Sequence, residues 1–212
     1  MKINDERLQK QGLKAGDIIP FAKHNWRVLD VQAGKALILT EGITEKRASF
    51  DITWETCTLR KYLNGKFLQR FTQEEQSRII ETRTANPDNL WYGTPGGRDT
   101  DDKIFLLSIE EADRYFGNSG DYQGERPKKY YYKNDKCVAD SEGDCFSNVH
   151  DNARVAEYKG EACWWWLRSP GDRTPPYGNL AARVSTDGRV SAYGFLVFDF
   201  RGGVRPALWL HL

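Results

Sequence analysis

The sequence predicts a single α+β domain, and three observations lead to that fold class. Hydrophobic residues make up 39% of the 212 residues and aromatic residues 13%, which is enough to build one large core. Short apolar runs near both ends have the length and the flanking turn residues of β-strands. Two stretches in the middle of the chain change to the three- and four-residue spacing of helices. Strands, two main helices, an irregular segment and again strands are typical of α+β proteins.

The first third of the chain predicts strands followed by an amphipathic helix. Residues 18–41 contain two or three strands, with a turn at Ala33-Gly34. In residues 53–71 the apolar side chains recur at helical spacing, and we expect Thr53 to be the N-cap. Asn64-Gly65 either ends or bends this helix. Its apolar face consists of Trp54, Leu59, Tyr62, Leu63, Phe67 and Phe71.

The rest of the chain predicts two further helices, an irregular segment and a β-rich end. Thr72 to Glu75 fits a capping box that opens a short helix. After a loop rich in Pro and Gly, the apolar run at 103–108 predicts a buried strand, and residues 108–117 predict a helix that Ser108 caps and Gly117 stops. Residues 118–160 show no periodicity. From Cys163 onward the pattern is strands and turns.

Charge and hydropathy argue against several function classes. The net charge of +1 gives no global attraction for nucleic acid, and no apolar run is long enough to cross a bilayer. We therefore expect neither nucleic-acid binding nor membrane insertion. The first residues lack the apolar core of a signal peptide, so we expect a cytoplasmic protein, with display on a cell or virion surface left open.

The residue types that bind metals or act as nucleophiles form no specific pattern. The three histidines, His24, His150 and His211, and the absence of a C-x-x-C pair argue against zinc. Acidic clusters at 96–103 and 140–145 contain oxygen ligands for a hard cation but do not match a calcium loop, and we interpret them as solvated loops. We expect no metal, no cofactor and no catalytic residue.

Cysteines and a basic-aromatic stretch have structural interpretations. Cys137 and Cys145 flank an acidic loop and either pair or stay free, whereas Cys57 and Cys163 are predicted core residues. The stretch KKYYYK at 128–133 contains the residue types that bind single-stranded nucleic acid, but we interpret it as a surface loop.

Three consecutive tryptophans, Trp164 to Trp166, form the most specific local feature. Successive side chains of a strand point to opposite faces, so at least one indole must cover the other side of the sheet. Arg168, which follows, either lies over an indole or holds a carboxylate. We interpret this stretch as core rather than as a ligand-stacking platform.

Several ordered motifs together resemble a bacterial domain of unknown function that is related to the C-type lectin fold, a family that includes variable proteins of diversity-generating retroelements. The motifs are NWRVLDVQAGKALIL (25–39), TWETCTLRKYLNGKF (53–67), DDKIFLLSIEEADRYF (101–116), WWWLRSPG (164–171) and GGVRPALWL (202–210). The resemblance implies a mixed or antiparallel C-type-lectin-like domain over residues 1–212 with paired terminal strands. It also implies that GGVRPALWL closes the core and that Arg205 is a buried, hydrogen-bonded scaffold residue.

Function follows from the same resemblance. It implies a non-catalytic binding protein whose partner is an unknown protein or surface ligand, and whose genetic partners are a reverse transcriptase and an accessory protein. The reverse transcriptase miscopies template adenines, so asparagine codons come to encode many residues but never Lys, Glu, Gln, Met or Trp. Residues 172–204 contain none of these five, although the chain's overall usage would put about six in a segment of that length.

Residues 172–204 separate into two sets. We call the recurring Val and Gly residues the frame, and the residues between them the fill. Val184, Val190, Val197 and Val204 suit buried strand positions, and Gly188, Gly194 and Gly202-Gly203 suit turns. The fill is expected to face solvent as a diversified binding surface, with rigid aromatic anchors among adaptable polar residues. The predicted ligand-binding residues are Asp172, Arg173, Thr174, Pro175, Tyr177, Asn179, Arg183, Ser185, Thr186, Asp187, Arg189, Ser191, Ala192, Tyr193, Phe195, Leu196, Phe198, Asp199, Phe200 and Arg201.

Three alternatives remain open at this point. A calcium-dependent or carbohydrate-binding lectin is the first. Such lectins commonly use the triplets Glu-Pro-Asn or Gln-Pro-Asp with Trp-Asn-Asp, and Asn86-Pro87-Asp88 is only loosely similar to them. An enzyme related to formylglycine-generating proteins is the second, and it would need a reactive cysteine pair or a metal. A purely structural interaction module is the third.

Overall fold

The computed structural model describes residues 12–117, 122, 128–133, 136–142, 145–146, 150–175 and 178–212, with the backbone alone described from 128 to 146. Its described part is a mixed α+β domain, mostly strands with a few short helices. The strands are β1 Ile18–Phe21, β2 His24–Gln32, β3 Lys35–Thr40, β4 Glu45–Lys46, β5 Ile79–Ile80, β6 Thr82–Thr84, β7 Thr100–Asp102, β8 Lys128–Lys133, β9 Lys136–Glu142, β10 Cys145–Phe146, β11 Glu157–Tyr158, β12 Glu161–Ala162, β13 Trp165–Pro170, β14 Leu180–Val184, β15 Val190–Leu196, β16 Gly203–Val204 and β17 Ala207–His211. The α-helices are α1 Thr58–Tyr62, α2 Gln73–Arg78, α3 Ile109–Arg114 and α4 Asp151–Arg154.

The first sheet has the order β1-β2-β3-β17-β5 and contains the strands near both ends of the chain. Residues 18–41, for which the sequence predicts two or three strands, contain three, and Gly34 takes a positive φ of 75° in the turn between β2 and β3. β17 runs antiparallel to β3, with Ala207 opposite Leu39. The first and last strands therefore share a sheet but are not neighbours, because the β2–β3 hairpin lies between them.

The second sheet has the order β10-β15-β14-β13-β16-β4. Its centre is the antiparallel set β13, β14 and β15, and β16 joins parallel to β13 through Trp165 and Gly203. GGVRPALWL is buried as expected, but it forms two strands rather than one. Pro206 has no N–H to donate to a ladder, and the chain passes from one sheet to the other between Val204 and Ala207.

The amphipathic helix of residues 53–71 bends rather than ends. α1 is followed by a π-helical turn, Leu63–Phe67, and a 3₁₀ turn, Leu68–Arg70. Asn64 holds the π turn, since its Nδ2 donates to the Ile104 carbonyl and its Oδ1 accepts from the Lys103 N–H. The predicted N-cap Thr53 is wrong: Cys57 is the N-cap, and its Sγ accepts from the Arg60 N–H. All six residues of the predicted apolar face are buried.

Both predicted capping boxes are present. Thr72 and Glu75 cap α2, and Ser108 and Glu111 cap α3, which Gly117 follows with a φ of 134°. The predicted strand at 103–108 is wrong, although Ile104 to Leu107 are buried. Only Phe105 makes a β-bridge, with Ala207, because the strand positions beside β17 are already taken by β3 and β5.

The irregular segment predicted for residues 118–160 contains more β-structure than its sequence indicates. β8 and β9 pair as an antiparallel hairpin, and β10 adds to the edge of the second sheet beside β15. The side chains of KKYYYK, of the acidic cluster at 140–145 and of Cys137 and Cys145 lie outside the described residues.

The three consecutive tryptophans are fully buried and cover both faces of β13, as expected from strand geometry. Trp164 and Trp166 meet edge to face with ring centroids 4.7 Å apart, whereas the Trp165 ring lies against the Arg205 guanidinium. Arg168 holds a carboxylate, that of Glu111, and also donates to the carbonyls of Ala85 and Leu106.

Arg205 is buried as the sequence predicts. Its guanidinium donates to the carbonyls of Thr40, Glu41 and Arg154, at 2.9, 3.0 and 3.3 Å. Burial lowers the pKa of Arg205 to about 10, so the group stays charged at neutral pH and uses main-chain dipoles to compensate lost hydration. These bonds connect the end of β3 and the last residue of α4 to the point where the chain changes sheets.

Replacing Arg205 by Met should strongly destabilise the protein, because three main-chain carbonyls lose a hydrogen bond from the guanidinium. We expect the free energy of unfolding to fall by about 3 kcal/mol or more, measured by urea denaturation. The control is Arg173→Met, since Arg173 is exposed, and this change should stay within about 0.5 kcal/mol. Equal effects of the two substitutions would contradict the role assigned to Arg205.

Candidate ligand-binding surface

The hairpin β14–β15 supplies the frame of the predicted surface. Val184, Val190, Val197 and Val204 are all buried, at most 2% exposed, as the frame hypothesis predicts. Gly188 lies in the hairpin turn with a φ of 82°. The other glycines were misassigned to turns. Gly194 lies inside β15, where a Cβ would stand 2.3 Å from the Ala181 carbonyl oxygen, and a Cβ on Gly202 would stand 2.0 Å from Trp166 Nε1.

The turn after β15 is fixed by main-chain hydrogen bonds. The Val197 N–H donates to the Asn179 carbonyl, and the Val197 carbonyl accepts from the N–H groups of Ser49 and Phe50. The Gly202 carbonyl accepts from the Arg47 N–H at 2.8 Å. Because these contacts use backbone atoms, they hold the turn in place without depending on the side chains between Val197 and Gly202.

One side-chain pair inside the turn adds to this order. The Asp199 carboxylate accepts from the Arg201 N–H at 2.7 Å and from its guanidinium at 2.7 Å. These bonds lower the pKa of Asp199, so the carboxylate is charged at neutral pH. The Arg201 guanidinium is thereby held beside the turn, 5.9 Å from the centre of the Phe195 ring.

Three phenylalanines around this turn are unusually exposed. Phe50, Phe198 and Phe200 are 50%, 47% and 66% accessible to solvent, and we call them the aromatic patch. The rings of Phe50 and Phe200 meet edge to face with centroids 5.4 Å apart. Neighbouring exposed aromatic side chains on an ordered turn are typical of an interaction surface.

A second group of loops packs against the middle of β15. The Asp172 N–H donates to the Tyr193 carbonyl, and the Tyr193 ring meets that of Tyr92 with centroids 5.8 Å apart. Asn89 is buried beneath them, where its Nδ2 donates to the carbonyls of Pro170 and Ala192. The segments 89–94 and 171–175 are thus joined to the middle of β15, whose last residue, Leu196, leads into the turn at 197–201.

The predicted binding residues separate by exposure. Exposed are Arg173, Thr174, Pro175, Asn179, Phe198, Phe200 and Arg201. Half-buried are Asp172, Thr186, Asp187, Arg189, Tyr193, Phe195, Leu196 and Asp199. Buried are Arg183, Ser185, Ser191 and Ala192. Tyr177 lies outside the described residues.

The expectation that the whole fill faces solvent is wrong for the four buried residues. Arg183 and Ser191 stand opposite each other in the β14–β15 ladder, near a register shift that follows Ala181. The Arg183 guanidinium carbon lies 4.3 Å from the centre of the Phe195 ring and 4.8 Å from that of Trp164, so this residue packs among rings.

The predicted surface is also divided in two. Thr186, Asp187 and Arg189 lie in the hairpin turn, beside Asp151 of α4. The aromatic patch adjoins the other end of the hairpin. Five residues of strand separate the two ends, a length of about 17 Å, so a single small ligand does not contact both.

Phe50 was not predicted, and its sequence context explains why. It follows Ala-Ser and precedes Asp-Ile, in a stretch with neither helical nor strand periodicity. Its place beside Phe200 depends on contacts between residues about 150 positions apart, which no local pattern encodes.

The acidic cluster at 96–103 is engaged by arginines and hydrogen-bond donors. Asp102 is buried and accepts from Trp54 Nε1, Arg60 Nε and Thr100 Oγ1, all within 2.9 Å. Asp101 pairs with Arg83. Asp101, Arg60 and Arg83, together with Glu55 and Arg98, border an open polar groove of about 700 Å³. Among the described residues, no three Asp, Glu, His or Cys side chains converge as metal ligands.

The two described cysteines are core residues, as predicted. Cys57 and Cys163 are buried and form no disulfide. Burial raises the pKa of Cys57 to about 11, so its nucleophilic thiolate is scarce at neutral pH. No helix in the described part of the chain is long and apolar enough to span a membrane.

The fold and the surface define an α+β scaffold of two sheets that carries exposed aromatic side chains on its C-terminal turns. The chain belongs to the family of the domain of unknown function DUF6273, whose model matches residues 33–212. No curated protein and no solved structure was found to match it. The family assignment covers every element from β3 to β17.

The Cys57 thiol should be nearly unreactive in the folded protein. In the variant Cys137→Ser/Cys145→Ser/Cys163→Ser, a disulfide reagent at pH 8 should modify Cys57 at least about a hundredfold more slowly than in urea, because thiolate is scarce and access is blocked. Since the folded pKa is raised, the stabilising contribution of the protonated thiol is fully present below pH 9 and is lost as pH rises towards 11. Comparable rates in buffer and in urea would contradict the burial and favour a reactive cysteine.

Proposed function

We propose that this protein is a non-catalytic ligand-binding protein with a C-type-lectin-like fold, and that residues 172–204 form its diversified binding region, as in the variable proteins of diversity-generating retroelements that it resembles. Its partner is a protein or a surface ligand. A reverse transcriptase and an accessory protein act on its gene rather than on the folded chain.

The observation that carries the proposal is the separation of frame from fill in the tail. The frame valines are buried, whereas Phe198, Phe200 and Arg201 are exposed on a turn held by backbone hydrogen bonds. A surface built in this way tolerates changes in its side chains, because the free energy of folding comes from other residues. The absence of Lys, Glu, Gln, Met and Trp from 172–204 fits the alphabet of adenine-directed mutagenesis.

The fold supports the proposal in a more general way. The strands nearest the two ends lie in one sheet, and the buried arginines and tryptophans of WWWLRSPG and GGVRPALWL form the core between the sheets. The proposed binding residues reduce to two groups, because Arg183, Ser185, Ser191 and Ala192 are buried. The smaller group is the hairpin turn with Thr186, Asp187 and Arg189. The main group comprises the aromatic patch, Arg201, Tyr193 and the loop from Asp172 to Asn179.

Diversification can be tested on the DNA. The flanking region should contain a reverse-transcriptase gene and a near-copy of the coding sequence for residues 172–210 that differs at adenines. Deep sequencing of cells that express the transcriptase should show changes at codons of exposed residues such as Phe198 and Phe200, and none at Val190 or Val197. If neither gene nor near-copy is present, the chain is not a variable protein of this kind.

Frame and fill can also be distinguished by stability. Tyr193→Ala and Phe198→Ala should change the melting temperature by no more than about 2 °C, whereas Val197→Asp one residue earlier should lower it by about 6–12 °C by burying a charge. Trp165→Ala and Val190→Asp also change buried residues, and these two variants should unfold the protein. Calorimetry measures all five, and similar losses from Phe198→Ala and Val197→Asp would show that the turn is part of the core.

A further inference from the structure

We propose that Phe50 is a fixed anchor of the binding surface and that the aromatic patch takes an apolar segment of a protein partner. This inference rests on the proposed function and adds a residue that lies outside 172–204. Diversification of that segment leaves Phe50 unchanged, so every variant of the protein keeps one aromatic contact beside the variable turn.

The backbone of Phe50 is strained. Its φ is +60°, in the left-handed region that a bulky aromatic residue rarely adopts. Four hydrogen bonds impose this conformation. The N–H groups of Ser49 and Phe50 both donate to the Val197 carbonyl, at 2.8 and 2.9 Å, and the Ser49 carbonyl accepts from the Thr58 N–H and hydroxyl. Strained residues that the surrounding structure holds in this way cluster at binding and catalytic sites.

Packing does not explain the strain. The Phe50 side chain remains 50% exposed, and the ring it meets, that of Phe200, is itself 66% exposed. A glycine would adopt the same backbone conformation without steric cost. A phenylalanine at this position therefore contributes little to the stability of the folded chain, and we attribute its presence to a contact with a partner.

The charges around the patch favour a protein partner over nucleic acid. Arg201 is the exposed cation of the turn, and its Nε and Nη2 donate to the Asp199 carboxylate. The charges of Arg201 and Asp199 therefore balance each other beside the exposed phenylalanine rings. Nucleic acids bind where cations face phosphates, which this arrangement does not provide. Exposed aromatic rings on a rigid support are the residues that contribute most to protein–protein affinity.

The test uses a random dodecapeptide library displayed on phage and selected on the full chain. Enriched peptides, synthesised and measured by fluorescence anisotropy, should be rich in aromatic and aliphatic residues. Phe50→Gly and Phe200→Ser should each weaken their binding at least about tenfold, because both remove a ring from one contact. Phe50→Tyr should retain binding. The matched control is Ile18→Ser, which alters a side chain that is 46% exposed on β1 of the first sheet and should leave affinity unchanged.

Stability gives an independent measurement. Phe50→Gly should leave the melting temperature unchanged or raise it, because glycine relieves the strain at φ +60°. A fall of more than about 3 °C would show that Phe50 serves the fold and would overturn the inference. Binding that is insensitive to Phe50→Gly, or equally sensitive to Ile18→Ser, would also overturn it. Enrichment of polycationic or polyanionic peptides would contradict an apolar partner.

The two proposals fail separately. Flanking DNA without a reverse transcriptase and near-copy removes the proposed diversification and leaves the Phe50 contact to be decided by the peptide measurements. Peptides that lose binding with Phe200→Ser but not with Phe50→Gly would leave the binding surface in place and remove its fixed anchor.

Discussion

Burial of the Arg205 guanidinium is the constraint on which the rest of the structure depends. A charged group in the core is tolerated only when hydrogen bonds replace its hydration, and here three main-chain carbonyls do so. Those carbonyls belong to Thr40, Glu41 and Arg154, which come from two distant parts of the chain. Satisfying one side chain therefore fixes the end of β3 and of α4 relative to the strand crossing, and Trp165 packs on the same group.

Buried arginines also occur in β13, which carries the tryptophans, and in the neighbouring strand β14, beneath the candidate surface. Arg168 is buried, lies against the Phe105 ring and binds the Ala85 carbonyl and Glu111. Its guanidinium thus has a ring on its apolar face and acceptors for its N–H groups at its edge. Arg183 packs against the rings of Trp164 and Phe195. The result is a rigid layer beneath β14 and β15. Phe195, half-buried above this layer, links it to the exposed turn.

Local patterns predicted some parts of this molecule well. Capping boxes, the Gly34 and Gly188 turns and the buried valines follow from spacing and from backbone sterics, which act over a few residues. The errors concern features set at long range. Whether 103–108 pairs as a strand depends on which positions beside β17 are vacant, and Arg183 is buried because β14 is an inner strand whose residues are all buried. The contact of Phe50 with Phe200 is of the same kind.

The way the C-terminal turn is anchored reconciles a fixed fold with a changing surface. Val197 makes its three hydrogen bonds through backbone atoms, to Asn179, Ser49 and Phe50, so these bonds persist whatever side chains occupy the positions that follow. Asp199 is the exception, because its carboxylate binds both the N–H and the guanidinium of Arg201. A substitution at Asp199 would remove the restraint on Arg201 as well, so these two positions are coupled, whereas Phe198 and Phe200 make no such bond within the described turn. Variation at the two phenylalanines therefore changes what the surface contacts, and variation at Asp199 also changes the shape of the turn that presents them.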